Sequence, residues 1–302
     1  MGRRKKGLKI DGWLVIDKPL DISSTGVVNK VRWLLKAQKA GHAGTLDPLA
    51  TGILPIGFGE ATKTMPFIVD ASKDYVFDVT WGSATTTDDL EGEVTDTSDH
   101  IPTNADIDAV LADFTGDIEQ VPPAYSAIKV DGQRAYALAR SGEDVELKAR
   151  TVSIHSLKRA ENPAQSDSEN TTRLAVTCGK GTYVRSLARD IALKLGTFGH
   201  VSMLRRTRVG PFCEKRALTL DKFEALSHSA PAEDYMLSVV TALDDILVLA
   251  VTEMEAARLK NGQSIQRSLA EQGTVYAMLG DTPIAIAEAL DNEVRPLRVF
   301  NM

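Results

Sequence analysis

Apolar positions along the chain fall into two rhythms, short continuous runs and stretches with helical spacing. Residues 12–16 form a short apolar run and predict a strand. Val27, Val28, Val31, Leu34 and Leu35 then recur at helical spacing, with Ser24 placed to cap the helix they predict. The run Ile53-Leu54-Pro55-Ile56-Gly57-Phe58 predicts a buried strand, and residues 60–69 a helix. Residues 75–81, rich in aromatic and β-branched side chains, predict another strand. Ile107, Val110, Leu111 and Phe114 mark an amphipathic helix over 104–114, and 133–142 reads as a short helix. Residues 151–157 and 173–178 read as strands joined by a polar hairpin tip at 161–171. Val184, Leu187, Ala188 and Ile191 give a helix over 182–195 its inward face, and 201–209 predicts a strand. The small, polar stretch 226–234 reads as the close of a main domain spanning 1–235. The tail, 240–302, predicts a helix over 252–260 and strands near 274–278, 284–289 and 295–300, a small α+β or β-barrel-like module.

Composition narrows the class. The chain has 302 residues, 43% hydrophobic and 25% charged, enough for a sizeable core and about two domains. Its two cysteines, Cys178 and Cys213, lie in no metal-like cluster, so a disulfide framework or zinc site is not expected and reduced thiols are. The basic start Arg3-Arg4-Lys5-Lys6 is followed by no continuous apolar stretch, so a secretory signal is not expected there. No run approaches membrane-spanning length, so a cytoplasmic protein is expected.

Net charge is −6, an unpromising total for a nucleic-acid binder, but the charges are sorted. Residues 84–120 hold eleven acids and not one Lys or Arg, and this segment is expected to face away from any polyanion. Basic residues gather at 3–9, 30–39, 129–150 and 205–216. Patches of this kind, rather than totals, bind phosphates.

One segment carries chemistry: Gly41-His42-Ala43-Gly44-Thr45-Leu46-Asp47-Pro48-Leu49-Ala50-Thr51-Gly52. Pro48 biases Asp47 away from helical dihedrals, and the flanking glycines permit a tight path. A carboxylate held still beside a buried strand is suited to act as nucleophile or general base. Asp-Pro alone is also common turn chemistry, so the pair by itself decides nothing.

The full string resembles the active-site motif of the tRNA pseudouridine-55 synthases, the bacterial TruB family. The likeness continues in Asp17-Lys18-Pro19, Ser23-Ser24, Gly59-Glu60-Ala61-Thr62-Lys63, Pro122-Pro123-Ala124-Tyr125-Ser126-Ala127-Ile128-Lys129, Gly181-Thr182-Tyr183-Val184-Arg185 and Leu204-Arg205-Arg206-Thr207. These blocks span most of residues 11–212 in the family's order. The resemblance implies an α+β fold with a mixed, mainly antiparallel sheet flanked by helices, plus a C-terminal PUA-like RNA-binding module. It implies isomerisation of uridine to pseudouridine at position 55 in the T-loop of tRNA, with Asp47 as the catalytic residue. His42 would fill the gap left by a flipped nucleotide, Tyr75 would stack on the base, and Tyr183 would lie near the uracil. Arg185 would pair with Asp47, and Leu204 would contact the base. Lys18 and Pro19 would support the loop, Lys63 would neutralise phosphate, and Lys129 and Arg134 would sit in an RNA-contacting insertion at about 125–145. Leu20-Asp21 stands where the family usually has a glycine, which leaves the turn there open.

An isomerisation needs no redox cofactor, metal or phosphoryl donor, and none is expected. The implied partner is the tRNA T-arm, with no membrane, no obligatory protein partner and a monomeric enzyme. Rival readings are an RNA-binding or RNA-folding protein without catalysis, a guide-RNA-dependent synthase, and a carboxylate glycosidase. The last would want a second acid at defined spacing, and no such pair is seen in the sequence.

Overall fold

In a computed structural model, residues 7–126, 129–130, 133–134, 147–161 and 170–302 are described. The strands are β1 (Gly12–Lys18), β2 (Ala40–His42), β3 (Ala50–Phe58), β4 (Lys73–Trp81), β5 (Ser83–Thr85), β6 (Val94–Thr97), β7 (Gly116–Gln120), β8 (Lys129–Val130), β9 (Gln133–Arg134) and β10 (Arg150–Arg159). They continue with β11 (Thr171–Cys178), β12 (Gly199–Val209), β13 (Phe212–Cys213), β14 (Leu218–Thr219), β15 (Leu247–Ala250), β16 (Ile265–Gln266), β17 (Gly273–Leu279), β18 (Thr282–Leu290) and β19 (Glu293–Val299).

A ten-stranded sheet runs β14-β1-β3-β12-β4-β11-β10-β7, with β2 added to β3 and β13 to β12. Among the described residues, only the β1/β14 and β3/β12 pairs within it are parallel. The strand β3 is buried along almost its whole length, as a central strand covered on both faces must be. Its alternate residues serve different cores. Leu54, Ile56 and Phe58 pack with Val27, Val31 and Phe223, beneath the Ser24–Leu34 and Leu220–Ser229 helices. Ile53 faces the opposite cluster with Trp13, Val15 and Phe212. A third cluster joins Phe77, Val79 and Leu174 to Leu187 and Ile191 of the Val184–Lys194 helix and Ile107 of the Asn104–Leu111 helix.

The tail folds into a five-stranded sheet, β15-β17-β18-β19-β16, with the Glu253–Lys260 helix against it. Thr252 caps that helix through a reciprocal capping box with Glu255. Ile286 and Phe300 of this module belong to the same cluster as Trp13 and Ile53, so the two sheets share a core.

Several boundaries differ from expectation for local reasons. Ser23, not Ser24, caps the first helix, its hydroxyl accepting the Gly26 N–H. The helix expected over 60–69 is broken into a 3-10 turn, Gly59–Lys63, and the short helix Met65–Asp70, with Pro66 at its start. Residues 226–229, read as part of a closing loop, continue the Leu220–Ser229 helix. Of the helix expected over 133–142, only Gln133 and Arg134 are described, and they pair as β9 with β8; the remainder lies outside the described residues. Asp21, in the place of the family's usual glycine, holds φ 62°. Aspartate tolerates that left-handed conformation better than most residues, so the turn after Pro19 forms without glycine.

Candidate active site

Asp47 stands in the loop between β2 and β3, and neighbours from four parts of the chain fix the loop's backbone. The buried Ser24 hydroxyl accepts the Leu46 N–H at 2.8 Å and donates to the Leu46 carbonyl at 2.9 Å. The fully buried Lys18 ammonium donates to the carbonyls of Pro48 (3.0 Å), Pro19 (2.9 Å) and Ile22 (2.9 Å). Burial pushes Lys18 down to about 8, with Asp47 the leading opposing influence. The Arg206 guanidinium, buried beneath the loop, donates to the carbonyls of Ile53 (2.8 Å) and Gly44 (3.1 Å). The Ala43 N–H donates to the Pro55 carbonyl. Gly52, at φ 101°, lies so close to β12 that a Cβ there would stand 2.1 Å from the Arg206 carbonyl oxygen. No larger residue fits that approach.

The Asp47 carboxylate is set separately. Its side chain is 41% exposed, at the mouth of a cleft, and Arg185 Nη2 lies 2.9 Å from its Oδ2. Arg185 is itself almost wholly buried, in the first turn of the Val184–Lys194 helix. It donates to the carbonyls of Thr87 (2.8 Å) and Tyr125 (3.0 Å), and its Nη1 lies 3.3 Å from Asp89 Oδ2. Asp89 Oδ1 in turn accepts the Thr87 hydroxyl and the Glu91 N–H. One planar guanidinium thus grips two carboxylates and two carbonyls, a set of acceptors that its fork geometry suits.

Asp89 is the participant that sequence reading missed. It belongs to the acidic segment expected to face away from nucleic acid, yet it lines the cleft with Asp47, Arg185, Leu49, Ala50 and Leu204. That expectation is corrected: the start of the segment folds inward. Asp88, in a left-handed turn at φ 60°, carries the chain around and is held by Arg189 at 2.9 Å. The faint sequence signal was an Asp-Asp pair inside a threonine-rich turn.

Of the other expected residues, Leu204 borders the cleft beside Ala50, its parallel partner across the β3/β12 pair. A bulge between Val201 and Met203 brings Ser202 and Met203 to the same wall. Tyr75 is buried below the loop, in the core with Leu46 and Ala50, and its hydroxyl lies beside Arg206. Burial raises that phenol above its ordinary value. Tyr183 sits at the N-cap of the arginine-bearing helix, its main chain bonded both ways to the buried Gln120 amide. His42, at the end of β2, is held below the ordinary imidazole value by burial and then by the Arg206 charge, so its ring is neutral at pH 7. Pro19 contributes a carbonyl to Lys18. Lys63 is engaged elsewhere: it donates to Glu60 (2.6 Å) and to the Val299 carbonyl (2.7 Å), tying the turn after β3 to β19 of the C-terminal sheet. The side chains of Lys129 and Arg134 lie outside the described residues.

The basic cluster expected at 205–216 is largely spent on the fold. Arg205 forks onto Asp17 and Glu214, Arg208 forks onto Asp74, and Arg206 is buried. Carboxylates in sequence-distant strands cancel those charges, which no linear count reveals.

The sheet architecture has solved counterparts. An H/ACA RNP bound to a substrate RNA containing 2'-deoxyuridine superposes with a TM-score of 0.73 over 100% of this chain and 92% of that one, at 22% identity. A Cbf5-Nop10-Gar1 complex gives 0.71 over 96% and 83%, at 24% identity. At such identities the likeness concerns the fold. Sequence supplies the class: the model of the TruB family pseudouridylate synthase N-terminal domain matches residues 32–184, so the chain is a pseudouridylate synthase and an isomerase. The tRNA pseudouridylate synthase B C-terminal domain follows at 185–248. A tRNA pseudouridine synthase B from Caulobacter sp. strain K31 is 51% identical, and one from Rhodospirillum rubrum 48%, each over the full length of both chains. The chain belongs to the TruB family. The junction between the two family models falls at the start of the Val184–Lys194 helix and divides the ten-stranded sheet, since β3, β4 and β11 lie in the first model and β12 and β14 in the second.

Proposed function

We propose that this enzyme converts uridine 55 in the T-loop of tRNA to pseudouridine, with Asp47 acting on a base flipped into the cleft. The observation that carries the reading is the half-exposed Asp47 carboxylate, locked by the buried Arg185 at 2.9 Å on a loop whose backbone is bonded on every side. The reaction breaks the bond from ribose C1′ to uracil N1, turns the base and rejoins it through C5. A carboxylate oriented by a guanidinium serves either as nucleophile or as proton acceptor in such a sequence. Leu204 and Ala50 supply apolar wall for the uracil, and the Tyr75 ring lies beneath. Extrusion of the base costs a few kcal/mol, which contacts in the cleft offset.

Residues 1–235 form the catalytic unit in this reading, with an RNA-contacting insertion at about 125–145, and 240–302 form a PUA-like RNA-binding module. The enzyme acts as a monomer on the T-arm, in the cytoplasm, without guide RNA or protein partner. Among the described residues no helix is long and apolar enough to cross a membrane, which is compatible with that placing.

The test is tritium release from C5-labelled uridine in a T-arm stem-loop with purified protein alone. Asp47→Asn is expected to abolish release while leaving RNA affinity within a few-fold. Turnover by the variant refutes the role of Asp47. A wild-type protein that binds the stem-loop but releases tritium only with added guide RNA refutes the stand-alone reading.

A further inference from the structure

The first helix, Ser24–Leu34, buries Val27, Val28 and Val31. Its other side carries Thr25, Asn29, Arg32 and Trp33, positions that fall in one stripe at helical spacing; exposed Lys36 follows just past the helix end, where the chain turns at φ 49°. Trp33 is 75% exposed, whereas the chain's other two tryptophans, Trp13 and Trp81, are buried. Arg32, Lys36 and Lys39 are exposed and make no ion pair among the described residues, unlike Arg159, Arg173, Arg205 and Arg208, each forked onto a carboxylate. No acid lies on the stripe. Lys30, on its flank, is turned away to Glu224 at 2.9 Å.

The stripe is tied to the active site at both ends. Ser24 opens the helix and holds Leu46, while Lys39 leads through β2 to His42 and back into the Asp47 loop. The chain also enters the described fold against the far end: the Leu8 N–H donates to the Lys36 carbonyl, and the Gln38 amide donates to the Gly7 carbonyl. Arg3-Arg4-Lys5-Lys6 immediately precede Gly7 in sequence.

We propose that this stripe is a second RNA-contacting surface, with Arg32, Lys36 and Lys39 on phosphates and Trp33 stacked on an unpaired base of the folded substrate. It rests on the RNA substrate proposed above and extends it. A bare aromatic between unpaired cations matches the π-face and the phosphates of RNA together. A protein partner would have to be acidic and would leave the cations to be desolvated. Nine residues of helix separate Ser24 from Trp33, so the stacked base lies roughly 14 Å along from the catalytic loop, outside the pocket of the flipped uridine.

Because Trp13 and Trp81 are buried, RNA-induced quenching of tryptophan emission reports on Trp33. Titration with an unmodified tRNA transcript is expected to quench the wild-type protein, and Trp33→Phe, which keeps a ring but not the indole, is expected to lose the quench and keep most of the affinity. Trp33→Ala is expected to weaken binding roughly 5- to 150-fold, the range of one base–aromatic stack. The triple change Arg32→Gln, Lys36→Gln, Lys39→Gln is expected to lower the slope of log affinity against log salt by roughly 2–3, raising KM more than it lowers kcat. All substituted positions are exposed, so the thermal midpoint serves as a folding control. If wild-type protein binds and converts tRNA while the quench is absent and these variants bind within twofold, the stripe is not an RNA surface. If the variants instead change only the sedimentation of the protein, the stripe is a protein contact and the inference is equally overturned. A wild-type protein that neither binds nor converts tRNA overturns the functional reading itself, a result distinct from either.

Discussion

Arg185→Lys separates charge from geometry at the centre of the cleft. Arg185 serves four acceptors with one guanidinium: Asp47, Asp89 and the carbonyls of Thr87 and Tyr125. A lysine ammonium reaches from the same position toward one or two of them. The Thr87 carbonyl and Asp89 lie on the buried side, where a lost charge-assisted bond costs about 1.5–3 kcal/mol. Asp47 is 41% exposed, so water replaces its missing partner and little stability is lost there. The ammonium keeps one of these two buried acceptors, so global stability is expected to fall by about 1.5 kcal/mol, well under the roughly 2.7 kcal/mol that a 100-fold rate loss represents. The catalytic loss comes from Asp47 swinging free of its single fixed orientation, and a displacement of about 1 Å costs roughly 100-fold in rate. Single-turnover tritium release is expected to slow by about 100-fold or more, with RNA affinity within about threefold of wild type. Urea unfolding of the same protein gives the stability term. A variant that stays folded and turns over within about threefold of wild type refutes the claim that the fork positions Asp47.

Asp89→Asn keeps the shape of the second acid and removes its charge; it is expected to loosen Arg185 and slow single-turnover chemistry about tenfold, with RNA binding unchanged by filter assay. Ser24→Ala strands the Leu46 N–H and carbonyl in the interior, so a loss of about 1–3 kcal/mol is expected by urea unfolding, together with a fall in kcat that Ser24→Thr partly restores; equal stability of the alanine variant contradicts the clamp. Lys18 sits at about 8, below its ordinary value, so its charged form is the one disfavoured by folding. That penalty is fully present below pH 8 and is relieved as pH rises from about 8 toward the unfolded value near 10.5, so Lys18 itself adds stability as the solution becomes alkaline. Activity is expected to move the other way: above pH 8 the neutral amine has two N–H groups for three carbonyls, and kcat/KM is expected to fall with an apparent pKa near 8. A pH–rate profile of Lys18→Met that keeps the same alkaline limb removes Lys18 from that role.

The sheet was legible because its strands obey local rules. The β3 run is apolar throughout, β4 is aromatic and β-branched, and the apolar stripe of the Val184–Lys194 helix sits in the sequence at its proper spacing. Asp47 and Arg185 were legible only through resemblance, since a lone aspartate in a turn and a lone arginine on a helix carry no distinguishing local pattern. Asp89, the buried role of Arg206 and the clamp by Ser24 were not legible. Each depends on residues more than twenty positions away in sequence, and each residue type has an ordinary local explanation: a solvated acid, a phosphate-binding cation, a helix cap. The same blindness misplaced the basic cluster at 205–216, because Asp17 and Asp74 meet Arg205 and Arg208 only once the strands are assembled.

The loop around Asp47 divides its labour between two sets of neighbours. Ser24, Lys18 and Arg206 bond backbone atoms of Leu46, Pro48 and Gly44, and none makes an ion pair with the Asp47 carboxylate among the described residues. Among the described residues, Arg185 bonds no backbone atom of the loop and does make that ion pair. The first set fixes where the Cα of Asp47 stands; the second fixes where its oxygens point. Backbone holders are buried, so their loss lowers stability and rate together. The orienting group faces a half-hydrated partner, so its larger effect falls on rate. Plotted as loss of activation free energy against loss of stability, Ser24→Ala is expected near the diagonal and Arg185→Lys well above it. If both fall on one line, the loop is a single cooperative unit and the division is wrong.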